Sequence, residues 1–217
     1  MKTLDTPTID FRKEQSYKAV PTPAIVEIPD MLFVMVDGTG APENNPQFVR
    51  AMETLYGIVY TVKFWDKKFD APPNYAKFSL TPLEALWWMQ DGSMFDATKI
   101  GNWAWTVMIR LPDFVTPAYF QEVVNELTER KQKDIYKDAR LEKFHEGTCA
   151  QLMHIGPYDQ ETANIKKLHA FARESGYKLV GKHHELYFSD PRRTAPEKLK
   201  TIIRQPVALN ISTASSR

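Results

Sequence analysis

The sequence predicts an α+β protein built from two β-α-β-β units in tandem, an antiparallel sheet with its helices on one face. Three observations predict it. Short apolar runs with strand character alternate with amphipathic segments of helical period. The order strand, helix, strand, strand occurs twice along the 217 residues. Finally, three pairs of similar segments fall in the same order in the two halves.

Residues 1–30 are polar and hold four prolines, which predicts an extended lead-in with one edge strand at Ala24–Ile28. Met31–Val36 is an apolar run closed by Asp37-Gly38-Thr39-Gly40, a strand and its turn. Phe48, Met52, Leu55, Val59 and Val62 then recur three and four residues apart, one face of a helix that Pro46 can open. Two strands are expected around Ala76–Met89 and Trp103–Leu111. A connecting helix fits residues 117–137, with Phe120, Val123, Val124 and Leu127 inward and a charged, solvated far end.

After Leu141 the pattern restarts. Thr148–Ile155 reads as a strand, Gly156-Pro157-Tyr158-Asp159 as a turn, and residues 161–175 as a helix with Ile165, Leu168 and Ala172 inward. Strands follow at Leu179–Ser189 and Leu199–Val207, and residues 209–217 read as a frayed tail. Repeat one thus covers about 24–112, the connecting helix about 117–138 and repeat two about 141–208, within one domain spanning 1–208. The turn Gly38-Thr39-Gly40 matches Gly156-Pro157-Tyr158, Ala85-Leu86-Trp87-Trp88 overlays Glu185-Leu186-Tyr187-Phe188, and Thr106–Pro112 overlays Lys200–Pro206. A unit of this size cannot cover both faces of its own sheet, so two must associate, and a ligand cleft is expected at the pseudo-twofold seam.

Composition narrows the function classes. The 28 basic and 27 acidic residues leave a net charge of +1, which argues against a nucleic-acid footprint. No run approaches the ~18 apolar residues of a bilayer span, and Met1–Asp5 opens no signal peptide, so the expected location is the cytoplasm, away from membrane. The single cysteine, Cys149, allows no internal disulfide and reads as a buried, inert thiol. His183 and His184, adjacent on a strand, point to opposite faces and make a poor metal pair. His145, His154 and His169 have no ligand partners at metal-site spacing, and no phosphate loop or serine elbow occurs.

The segment His184-Glu185-Leu186-Tyr187-Phe188-Ser189-Asp190-Pro191, with Leu199–Val207, Gly156-Pro157-Tyr158 and Pro82-Leu83-Glu84-Ala85-Leu86-Trp87-Trp88, resembles the GyrI-like small-molecule-binding domain over about residues 20–208. The resemblance implies a tandem β-α-β-β fold and a ligand-facing glutamate on a strand of the second repeat, which Glu185 matches. Some stand-alone members with a similar tryptophan-rich first half are hydrolases of cyclopropane-bearing DNA-alkylating natural products and hold them in an aromatic cage, which is what the resemblance implies for this chain. No helix-turn-helix segment accompanies the domain, so a transcription-factor role does not carry over.

Strand alternation puts His183, Glu185 and Tyr187 on one face. The five tryptophans, Trp65, Trp87, Trp88, Trp103 and Trp105, all lie in the first half. Core packing accounts for any one of them, and together they are candidates for an aromatic-lined site. Trp87 and Trp88 face opposite ways, so at most one lines it fully. A carboxylate walled by aromatic rings would lose water and its pKa would rise. Glu185 then has two uses: counter-charge for a cationic aromatic ligand, or general base toward a water that attacks an electrophilic carbon. Tyr187 or an indole N–H would serve the oxygen where charge develops. Glu84 is a lesser acid, facing away from Ala85. The expected partners are planar hydrophobic small molecules, with no cofactor, no metal and the oligomeric state left open. A drug-binding module without turnover is the alternative.

Overall fold

A computed structural model describes residues 8–210; the readings of Met1–Asp5 and of the tail beyond Asn210 lie outside the described residues. In chain order the elements are β1 (Ala24–Ile28), β2 (Met31–Thr39), α1 (Pro46–Lys63), β3 (Leu83–Met89), β4 (Trp103–Arg110), α2 (Pro117–Lys131), β5 (Arg140–Phe144) and β6 (Gly147–Ile155). They continue with α3 (Glu161–Glu174), β7 (Tyr177–Leu179), β8 (His183–Tyr187) and β9 (Lys200–Leu209). The chain is therefore α+β, with β-α-β-β order in the first half and the same order in the second once the short extra strand β7 is set aside.

Two compact units result. The first gathers the residues up to Lys18 with Asp30–His145, and the second gathers Ala19–Pro29 with Glu146 onward. In the first unit the strands run β3-β4-β2-β5, every neighbour antiparallel. In the second they run β8-β9-β6-β1, again antiparallel, with β7 added to the far end of β9. The two orders match strand for strand. Each edge strand comes from across the chain: β1 precedes β2 but pairs with β6, and β5 precedes β6 but pairs with β2.

Local chemistry explains the boundaries. Asn45 caps α1 by accepting the Gln47 N–H, with Pro46 in the first turn. Leu55, Ile58, Val59 and Val62 of that helix are fully buried. Thr116 caps α2 through the Tyr119 N–H at 3.2 Å. The helix stops at Lys131, short of the expected 137, because Gln132 takes the left-handed conformation (φ 53°) and residues 134–138 form a separate 3-10 turn. The strand expected at Ala76–Met89 starts only at Leu83. Pro82 offers no N–H to a ladder, and Phe78 instead bridges Ile9. The strand expected at Leu179–Ser189 is two strands, β7 and β8, parted at residues 180–182.

Hydrogen-bond register refines the internal overlay. Ala85 stands opposite Val107, and Glu185 opposite Ile203. With Ala85 and Glu185 equivalent, Val107 corresponds to Ile203 rather than to Thr201, a slide of two residues from the sequence overlay. A two-residue slide keeps every side chain on its face, so the duplication survives it.

Close packing in the first unit turns on Gly38. A Cβ there would lie 2.2 Å from the Trp105 ring, so only glycine lets that indole lie flat across β2. The Trp105 N–H donates to the Gly40 carbonyl at 3.1 Å, and Phe48 of α1 meets the ring edge-on at 5.2 Å. Among the described residues no helix is long and apolar enough to cross a membrane.

Candidate functional site

β8 carries the acid that the sequence singled out. Its alternation turns His183, Glu185 and Tyr187 to one face, as expected, and the three meet. The Tyr187 hydroxyl donates to Glu185 Oε2 at 2.5 Å, and His183 Nε2 lies 2.9 Å from Oε1. Glu185 is only 7% exposed. Both carboxylate oxygens are held, so the group is fixed in direction as well as desolvated.

Two further residues join them that the sequence did not mark as site residues, Tyr158 and Glu161. Gly156 has φ 139°, a backbone state for glycine, and it turns the chain from β6 into a short 3-10 turn ahead of α3. That turn presents Tyr158, whose ring meets Tyr187 edge-on at 5.7 Å. Glu161, the first residue of α3, is buried and hydrogen-bonds to Glu185. Its Oε1 has no hydrogen-bond partner, and the buried Thr201 hydroxyl lies beside its carboxyl. The usable signal was an acid three residues after Tyr158 of the Gly-Pro-Tyr turn, at the first position of the second-repeat helix.

The electrostatics correct one expectation. Burial is the largest influence on Glu185 and by itself raises the carboxyl pKa. The hydrogen bond and charge of His183, then the hydrogen bonds of Tyr187 and Glu161, outweigh it, and the pKa falls below the ordinary value. Glu185 is thus an ionised acceptor at neutral pH. Glu161 shifts the opposite way: burial first, then the charge of Glu185 and the hydrogen bond to it, lift its carboxyl far above the ordinary carboxylate range. The Tyr158 phenol is pushed up to about 12 by burial and then by the two glutamates.

The opposite face of the second unit holds a separate buried cluster. Glu146 accepts from Arg204 at 2.9 Å and lies 2.7 Å from His184 Nδ1, while Arg204 Nε donates to Gln151 at 3.1 Å. His184 therefore serves this ion cluster and His183 serves Glu185.

The tryptophans divide within the first unit. Trp87 and Trp103 share a face and meet at 5.3 Å edge-to-face, with Phe95 against Trp103 at 5.7 Å. Trp105 shares that face but is fully buried against α1, in a core role. Trp88 points to the other face and is half-buried. Trp65 stands apart from β3 and β4: it follows α1, packs on Tyr119 of α2 at 5.2 Å and donates to the Asp70 carbonyl. Glu84, on the Trp88 face, is fully buried and accepts the Tyr17 hydroxyl at 2.7 Å.

Comparison with known proteins gives these features a context. The model of the GyrI-like small molecule binding domain matches residues 21–208. The chain is similar to an uncharacterized conserved protein from Listeria innocua, at 36% identity and a TM-score of 0.86, covering 93% of this chain and 100% of that one. It is also similar to a hydrolase from Listeria innocua, at 34% identity and a TM-score of 0.83 over the same shares. The C-terminal domain of EcmrR shares the fold at 17% identity, with a TM-score of 0.55 over 87% of this chain and 98% of that domain. No curated protein matches the chain.

Proposed function

The chain belongs to the family of GyrI-like small-molecule-binding domains, and from that premise we propose that it binds planar hydrophobic compounds and hydrolyses reactive cyclopropane-bearing ones through Glu185. The observation that carries this reading is the state of Glu185: a buried, ionised carboxylate aimed by Tyr187 and His183. The description of the Listeria relative as a hydrolase supports turnover.

In the proposed reaction a water oxygen bonds to a ring carbon of the strained cyclopropane as Glu185 takes the water's proton. The ring C–C bond breaks, and its electron pair passes through the conjugated dienone to the carbonyl oxygen, which is then protonated to a phenol. The proton held by Glu185 returns to solvent. No step draws on an oxidant, a reductant or a metal. General-base assistance of this kind contributes about 10²–10⁴-fold.

Incubation with a dienone cyclopropane alkylator is expected to give the water adduct by mass spectrometry. Glu185→Gln should turn over at least about 10²-fold more slowly. A variant as fast as wild type removes Glu185 from the role of base.

A second reading draws on the same contacts. Since both oxygens of Glu185 already accept hydrogen bonds, the carboxylate also suits a fixed counter-charge for a cationic aromatic ligand. Stoichiometric quenching of tryptophan fluorescence without product selects that reading.

A further inference from the structure

Glu161 enters the site with a carboxyl that nothing in the reaction above employs. It stands at the first position of α3, 4% exposed, against a Glu185 that is 7% exposed. Two carboxyl groups so placed cannot both ionise, because like charges in a dry site repel strongly. The partners of the pair are unequal. Glu185 takes the imidazole of His183 and the phenol of Tyr187, whereas Glu161 has the Thr201 hydroxyl beside it and one oxygen with no partner.

The other titratable or charged groups near the pair are few. His183 and Tyr187 come from β8, Tyr158 from the turn ahead of α3, and Asp190 from the loop after β8, where it bears on Tyr158 and pairs with Arg192. His169 of α3 lies behind His183, its own pKa pushed down to about 4 by burial and then by His183 and Arg173. The proton that belongs to the carboxyl pair therefore resides on Glu161.

We propose that Glu161 is a second carboxyl of the ligand site, and that an organic cation entering beside Glu185 is exchanged for the proton on Glu161. This rests on the counter-charge reading of Glu185 and adds a stoichiometry to it: one cation in, one proton out, with no covalent bond made or broken. The cation supplies the positive charge that lets both carboxylates stand ionised. Neutral ligands of the same shape gain nothing from the exchange and leave the proton in place. The site so built selects among flat aromatic molecules by charge, and its affinity for cations depends on pH.

The test uses the full chain. A difference titration between wild type and Glu161→Gln, without ligand, is expected to count one extra proton bound to wild type at pH 7. Calorimetry with N-methylacridinium in phosphate and in Tris at one pH gives the protons released on binding. Wild type should release close to one and Glu161→Gln close to none, and wild-type affinity should rise up to about tenfold per pH unit until Glu161 itself titrates. Acridine, neutral above pH 7, should bind without proton release. If Glu161→Gln fails to fold, the buffer comparison on wild type alone still decides.

Absence of the extra proton in ligand-free wild type overturns the proposal, as does equal proton release by wild type and Glu161→Gln. A Glu185→Gln variant that binds N-methylacridinium as tightly as wild type instead overturns the counter-charge reading beneath it.

Discussion

Tyr187 donates its hydroxyl to Glu185 Oε2 at 2.5 Å, two residues away on the same face of β8. That bond is one of the contacts that carry the Glu185 pKa below its ordinary value against the effect of burial. A depressed carboxyl contributes stability above its unfolded pKa and loses it as pH falls through the folded value. Tyr187→Phe removes the donor, so the carboxyl pKa rises toward its unfolded value and the stability that Glu185 loses on acidification becomes smaller. Thermal midpoints measured from pH 7 to pH 3 should show this, with a loss of about 1.5–3 kcal/mol at neutral pH.

Glu146 sits on the other side of the same strands and is lowered to about 2, burial raising it and the charges of His184 and Arg204 more than reversing that. Arg204→Met leaves a buried carboxylate without one of its two charged partners and should cost about 3–5 kcal/mol by denaturant titration. The sign of the pH effect follows. In wild type the contribution of Glu146 is present above its ordinary 4.5 and fades toward about 2; in Arg204→Met that slope flattens.

The fold was legible where side-chain period and backbone chemistry agree. The stripe from Phe48 to Val62 fits α1, Ala24–Ile28 is β1, and three alternating residues of β8 share one face. β5 went unread because Arg140-Leu141-Glu142-Lys143-Phe144 is largely charged; its place is set by pairing with β2, a tertiary cause. The split between β7 and β8 escaped because the apolar pattern runs on while the backbone turns. At the candidate site, Glu185 and its strand neighbours were readable. Glu161 was not, since 24 positions of chain separate the two acids and only the return of α3 along the sheet unites them. The direction of the Glu185 shift was misread for the same reason: desolvation can be argued from neighbouring residue types, but donors must be located in space.

Gly38 and Trp105 offer a packing test. Gly38→Ala sets a methyl carbon 2.2 Å from the indole and should destabilise by about 1–3 kcal/mol or more. Trp105→Phe in the same chain makes room, so the double variant should lose less than the sum of the singles. Chemical denaturation of the four proteins gives the coupling energy.

Cys149 is fully buried, and burial, followed by the charge of Glu146, pushes its thiol well above the ordinary range. The thiolate is the reactive form. Native protein should therefore react with a disulfide reagent at pH 8 orders of magnitude more slowly than the same chain in denaturant. Equal rates would mean that β6 opens on the timescale of the reaction.

The exchanged edge strands reach beyond architecture. The backbone passes between the two units three times, after Lys18, after Pro29 and after His145, so neither half of the gene encodes a self-sufficient piece. A polypeptide severed between α2 and β5 would yield an N-terminal fragment carrying the border strand of the C-terminal fragment, and the converse. Each fragment would expose raw ladder edges until the other arrived. Ribosomal synthesis meets the same condition: β1 emerges early and waits, unpaired, for about 120 residues until β6 follows it out.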